Sequence, residues 1–172
     1  LQRASNITLK NMNFVSANSS NDGTPSVTDN SNANGAIHAA NVTGLALDKL
    51  IFTGTIVHNA INLYKVTTFS LANSTITDPG SGTGTLPSVE GGIHAIDLGG
   101  TCSITNTTIA SPSSRCVLIT QLANSTPLTL NISGSTFKDS FDGGVQGNDN
   151  LEINCNNSTV STLNITNCNF LR

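Results

Sequence analysis

Carboxylates, imidazoles and thiols are the side chains of this sequence with chemistry to offer, and all three are scarce: ten Asp and Glu, three His and four Cys in 172 residues. The carboxylates that crowd most closely outside the apolar runs are Asp139 and Asp142, with Asp149 and Glu152 just beyond. A loop over 138–152 folded back on itself would bring these four toward a single cation. Their spacing lacks the alternation of a calcium-binding EF-hand loop, and a solvated acidic loop is the better account of them. The expectation is therefore no bound metal and no cofactor. A hydrolase needs two carboxylates at a set separation, and a lyase needs a base beside clustered Asp; no residue is nominated as catalytic.

His38 and His94 sit at matching places in two similar segments, Ala36-Ile37-His38-Ala39 and Gly92-Ile93-His94-Ala95, and Asn62 holds that place in Ala60-Ile61-Asn62-Leu63. Stacked as strands, the three would form one outward polar stripe with the imidazoles about 10 Å apart, two strand spacings of ~4.8 Å. That is too far for a shared zinc ion; the row is either an incidental solvent-facing ladder, the plainer reading, or the lining of a glycan or partner groove. The thiols are Cys102, Cys116, Cys155 and Cys168. Separations of 14 and 13 residues make Cys102–Cys116 and Cys155–Cys168 the natural pairs, although four cysteines allow three connectivities. Such bonds would fit an oxidising compartment and contribute roughly 2–4 kcal/mol each. Cys102 and Cys155 also fall at inward positions, where an unpaired Cys packs as a small apolar residue.

The elements that must position these groups come from a repeat. An apolar-x-apolar pair followed five residues later by a third apolar residue occurs six times: Ile7/Leu9/Phe14, Leu45/Leu47/Phe52, Phe69/Leu71/Ile76, Cys102/Ile104/Ile109, Leu130/Ile132/Phe137 and Leu163/Ile165/Phe170. The offset is constant within each unit while the spacing between units varies, which puts insertions in loops and marks a stacked repeat. Two residues after each pair stand Asn11, Lys49, Asn73, Asn106, Gly134 and Asn167. Asn and Gly tolerate the left-handed conformation that a sharp bend between strands requires. Each unit thus reads as strand, corner, strand, and Asn11, Asn73, Asn106 and Asn167 are placed to bond to one another as a ladder. A further alternating strand precedes most units, around Ile37, Ile61 and Ile93. Ile37 to Leu45 and Ile61 to Phe69 both span eight residues, and Ile93 to Cys102 spans nine, with the extra residue near Gly99-Gly100. In the later units Leu118/Thr120/Leu122 aligns with Leu151/Ile153/Cys155, while Val145 competes as strand opener, so the register over 141–160 stays open.

Units such as Asn6-Ile7-Thr8-Leu9-Lys10-Asn11-Met12-Asn13-Phe14 and Leu163-Asn164-Ile165-Thr166-Asn167-Cys168-Asn169-Phe170 resemble the repeats of pectate-lyase-like β-helices. The stretch from Leu128 to Phe137 is similar to repeats of large secreted bacterial proteins and autotransporter-like passengers. Pattern and resemblance together give the expected fold: all-β, a right-handed parallel β-helix solenoid of about six coils with three short strands each and Asn-rich αL corners. A single domain over 1–172 is expected, either a segment of a longer solenoid or a subunit that assembles end to end. The resemblance implies architecture far more than activity, because such repeats carry lyases, hydrolases, adhesins and stalks alike. The Asp-Asp, Gly-His-Gly and Arg-x-Lys motifs of pectin hydrolases are missing.

Composition narrows the function further. Lys and Arg number 7 against 10 Asp and Glu, giving a net charge of −3, the wrong sign and size for neutralising phosphates on a nucleic acid. No apolar run approaches the ~20 residues of a membrane span. Asn, Ser and Thr supply more than a third of the chain, and N-x-S/T sequons recur; Asn18, Asn41, Asn73, Asn106, Asn124 and Asn157 are candidate glycosylation sites in a eukaryotic or archaeal secretory pathway. The expectation is a non-catalytic structural or adhesive element at an extracellular or cell-surface location, with partners that are other copies of itself or neighbouring coils, and surface glycans. The alternatives are a glycan-binding module using His38, Asn62 and His94, and a polysaccharide lyase or hydrolase.

Overall fold

A computed structural model describes residues 1–17, 35–80, 91–122, 126–142, 145–146, 149–156 and 160–172, with only the backbone described at 141, 142, 145 and 146. The described chain is all-β and its main sheets are parallel. The larger sheet has ten strands. Its first arm runs from β1 (Ser5–Val15) and β3 (Thr43–Thr53) through β5 (Thr67–Ala72), β8 (Gly100–Thr105) and β11 (Leu128–Ser133) to β16 (Val160–Thr166). Its second arm leaves β3 through β6 (Thr75–Thr77), β9 (Thr108–Ala110) and β12 (Thr136–Lys138) to β17 (Asn169–Leu171). A five-stranded sheet holds β2 (Gly35–Ala40), β4 (Asn59–Tyr64), β7 (Ile93–Ile96), β10 (Val117–Gln121) and β15 (Leu151–Cys155). Phe141–Asp142 (β13) and Val145–Gln146 (β14) form a small antiparallel pair, so Val145 opens no strand of the parallel sheets.

The repeat units pair with one another in the expected register. Ile7 lies opposite Leu45 and Leu45 opposite Phe69; Leu71 meets Ile104, Cys102 meets Leu130, and Leu130 meets Leu163. The irregularity near Gly99-Gly100 is real: Thr67 bridges Gly99, yet Ser70 pairs with Ser103, three residues on one strand against four on the other. In the smaller sheet the register differs by one from the sequence alignment. Val117, Ile119 and Gln121 lie opposite Leu151, Ile153 and Cys155, and Leu118 faces Glu152. Burial decides this, because Val117 and Ile119 join the core cluster that both sheets share and a slip of one residue would turn each strand inside out. Phe52, Leu45, Leu47, Leu71, Ile76 and Phe137 are buried there, each stabilising by roughly 1.5–3 kcal/mol.

All six corner positions adopt positive φ, from Asn106 at 48° to Gly134 at 58°. The hydrogen bonds explain why so unfavourable a conformation is kept. The N–H of Asn73 donates to Thr105 C=O, that of Asn106 to Ser133 C=O, and that of Gly134 to Thr166 C=O, at 2.9–3.1 Å; the αL residue turns the chain while its N–H continues the inter-unit ladder. Three further columns behave alike. Arg3, Asn41, Lys65 and Asp97 form one, Asn6, Gly44, Thr68 and Gly100 another, and Ser16, Gly54, Asp78, Ser111 and Asp139 the last. The first unit of the second sheet's corner shows the same bonding, with Asn41 N–H to Tyr64 C=O and Lys65 N–H to Ile96 C=O, both 2.8 Å.

The Asn ladder is shorter than the sequence suggests. Asn106 Nδ2 donates to Asn73 Oδ1 at 3.4 Å, and Asn73 Nδ2 donates to Asp48 Oδ1 at 2.8 Å. Lys49 separates Asn11 from Asn73 in the column and Gly134 separates Asn106 from Asn167, so neither outer Asn has an Asn neighbour. A different ladder runs one residue further on, inside the fold. Ser74, Thr107 and Ser135 are buried polar residues, and each hydroxyl accepts an N–H from the preceding unit: Leu50 to Ser74, Ser74 to Thr107, Thr107 to Ser135. Each also donates to the carbonyl two residues back, which satisfies groups that would otherwise be buried unpaired.

Candidate functional site

The last of the αL columns builds a groove. Ile76, Ile109 and Phe137 are in register, so two residues later Asp78, Ser111 and Asp139 project from successive corners. With Gly54, Thr55, Pro112 and Ser113 they line an open groove of about 600 Å³. Asp78 and Asp139 stand two units apart, about 10 Å at ~4.8 Å per unit, with the Ser111 corner between them. Lys138 Nζ lies 3.5 Å from Asp139 Oδ2. Chemically the groove offers carboxylate acceptors and hydroxyls to a polyhydroxylated ligand. In sequence Asp139 neighbours Asp142; the column instead joins it to Asp78, far off in sequence, and only the recurrence of a polar or glycine residue two positions after the third apolar residue signals this.

The other acidic candidates do not converge. Glu152 forms an ion pair with Arg115. Asp149 lies beside Asn150, Leu151, Phe170 and Arg172 in a separate shallow depression, and the side chain of Asp142 lies outside the described residues. Among the described residues no group of three or more His, Cys, Asp or Glu is arranged to hold a metal ion.

His38, Asn62 and His94 do stand in one row, His38 opposite Asn62 and Asn62 opposite His94. The row is not an exposed stripe, however: Asn62 is 2% exposed and His94 1%. The smaller sheet is buried on both faces along β4, β7 and β10, so the alternation that points these residues away from the shared core does not bring them to solvent. Among the described residues neither ring nitrogen of His94 nor Asn62 Nδ2 has a hydrogen-bond partner. Desolvation lowers the His94 pKa to about 4 and, with a smaller contribution from the N-terminal ammonium, lowers that of His38. His58, also buried, lies before β4 outside this row.

All four cysteines are free thiols, so neither expected disulfide is formed. Cys102 Sγ accepts from Phe69 N–H and donates to Gly99 C=O, both at 3.4 Å. Cys116, at the entry to β10, lies against Ile109 C=O, Lys138 C=O and Asn150 Oδ1; burial pushes its pKa up to about 12. The two belong to different sheets and are held by backbone carbonyls, as small core residues. Cys155, expected to face inward, is exposed, and Cys168 is half-buried. Of the sequon residues, Asn41, Asn73 and Asn106 are exposed αL corners, while Asn18, Asn124 and Asn157 lie outside the described residues.

With this geometry in hand, comparison with known proteins adds no relative: no family model, no curated protein and no solved structure matches the chain.

Proposed function

We propose that the chain winds as a right-handed parallel β-helix of six coils and serves as a non-catalytic structural or adhesive element of an extracellular or cell-surface protein. One observation carries the reading. β16 and β17 stand at opposite ends of the strand order, yet only Asn167 and Cys168 separate them in the chain. Eight inter-strand steps across a flat sheet would span roughly 38 Å, whereas three residue steps reach at most about 11 Å. A sheet that folds back at the αL corners, with β5 and β6 leaving β3 on either side of Lys49, fits so short a connection. A coil closed by the smaller sheet accounts for this. A backbone-bonded, weakly charged stack with its buried corner hydroxyls satisfied suits a structural element.

The test is a turnover and binding screen on the purified chain against neutral and acidic polysaccharides, with and without calcium. No turnover is expected. Turnover lost in Asp78→Asn or Asp139→Asn would replace this reading with an enzymatic one. Retention of a glycan, lost in the double variant, would make the groove the adhesive site; retention unaffected by that variant would place adhesion elsewhere on the surface.

A further inference from the structure

Six complete N-x-S/T sequons fall within the described residues, beginning at Asn6, Asn41, Asn73, Asn106, Asn131 and Asn164. The fold separates them by what each side-chain amide is already doing. Asn106 Nδ2 donates to Asn73 Oδ1 at 3.4 Å, Asn73 Nδ2 to Asp48 Oδ1 at 2.8 Å, and Asn164 Nδ2 to Asn131 Oδ1 at 2.8 Å. These four amides therefore run along the stack, each against a neighbour in the next unit. Asn6 Oδ1 lies over Gly44, 3.0 Å from where a Cβ on that glycine would stand. Asn41 differs from all five. Among the described residues its side chain has no hydrogen bond, and it is exposed at an αL corner with φ 55°. The corner holds to the next unit through the backbone alone, Asn41 N–H to Tyr64 C=O at 2.8 Å. Its column contains Arg3, Lys65 and Asp97, none of which begins a sequon. Val42 turns inward at 1% exposure, while Thr43, which supplies the sequon hydroxyl, is exposed.

Resting on the extracellular reading above, we propose that Asn41 is a site of N-glycosylation and that the ladder amides of Asn73, Asn106 and Asn164 stay bare in the folded chain. The donor class is an oligosaccharide carried on a lipid diphosphate and met on the export route. Asn41 Nδ2 bonds to the anomeric carbon of the sugar as the bond from that carbon to the diphosphate oxygen breaks. One Nδ2 proton passes to a base of the transferase, and the lipid diphosphate leaves. At the ladder positions an attached sugar has to displace a side chain one strand spacing away, ~4.8 Å, and loosen a bond between units. At Asn41 every bond between units stays in place, and the glycan projects sideways from the stack.

The test is secretion of the full chain from a eukaryotic host, whose own lipid-linked oligosaccharide is the donor, followed by peptide mapping. Release of glycans with peptide-N-glycosidase in heavy-oxygen water converts each occupied Asn to a labelled Asp and so marks the sites. Label is expected on Asn41 in most secreted molecules and on Asn73, Asn106 and Asn164 in few. Asn41→Gln removes the acceptor, and Thr43→Ala removes the sequon hydroxyl while keeping Asn at the αL corner; both should lose the Asn41 glycan. Thr43→Ala gives up only the exposed hydroxyl bond with Thr67, so it keeps the test open if Asn41→Gln fails to fold. Circular dichroism and a thermal melt establish that the secreted chain is folded, and enzymatic removal of the Asn41 glycan should leave the melt unchanged. A folded, secreted chain that is bare at Asn41, or one labelled at Asn73 or Asn106 as fully as at Asn41, overturns the proposal and leaves the structural reading standing. Polysaccharide turnover by a chain glycosylated at Asn41 does the reverse.

Discussion

Thr107 stands one unit beyond Ser74 in the buried hydroxyl column, where its Oγ1 accepts the Ser74 N–H at 3.4 Å and donates to Thr105 C=O at 3.0 Å. A side chain thereby completes the backbone ladder at the corner, where the ladder itself is interrupted.

Thr107→Val keeps the shape and removes both bonds, leaving the buried Ser74 N–H without its partner while Thr105 C=O keeps the Asn73 N–H. The expected cost is about 1–3 kcal/mol, with Thr107→Ser much closer to the wild type. Urea unfolding should show a lower midpoint at an unchanged slope; equal stability of the Val variant would mean that water reaches this column.

His94 predicts acid lability. Its folded pKa of about 4 lies below the ordinary value of 6.5, so between those two pH values the unfolded chain binds a proton that the folded chain does not. Stability is fully present above pH 6.5 and falls as pH drops toward 4, by about 3 kcal/mol over the window. His38 is shifted in the same direction and adds to the loss. Among the described strands, the residues opposite His94 are Asn62 and Leu118, neither of which can carry a compensating charge. His94→Leu, which continues the type of its neighbour Leu118, should flatten much of this dependence in unfolding curves taken from pH 7 to pH 4; an unchanged slope would assign it to other groups.

The αL corners predict opposite signs for two substitutions. Lys49 holds φ 55° with a side chain that disfavours it, so Lys49→Gly should stabilise by about 1 kcal/mol. Gly134→Ala should destabilise, since φ is +58° and an added Cβ would come within 2.5 Å of Asn106 Oδ1. Thermal melts of the pair check both, and like signs would show that corner strain is not what these positions sense.

Thiol reactivity follows burial. Under native conditions alkylation should reach the exposed Cys155 first and the half-buried Cys168 more slowly, leaving the buried Cys102 and Cys116 untouched until the chain unfolds. Peptide mapping reads the order; rapid labelling of Cys116, whose pKa is pushed up to about 12, would contradict its placement.

The sequence by itself determined the repeat, the inward apolar rows and the six left-handed corners, because each rests on local rules: period-two alternation, a constant offset, and residue types that accept positive φ. It also located the extra residue near Gly100. What covers a face, and which distant residues share a column, are not local properties, and tertiary structure alone decided them. The His38, Asn62, His94 row was legible as a row, but its burial depends on the smaller sheet being enclosed on both sides. The Ser74, Thr107, Ser135 ladder was hidden as the middle residues of sequon-like triplets, and its role exists only when a neighbouring unit presents an N–H. Asp78 and Asp139 meet in one groove through stacking of separate corners. The cysteines were near-equally spaced in sequence, yet Cys102 and Cys116 serve different sheets, and spacing along a chain says nothing about which sheet a residue enters.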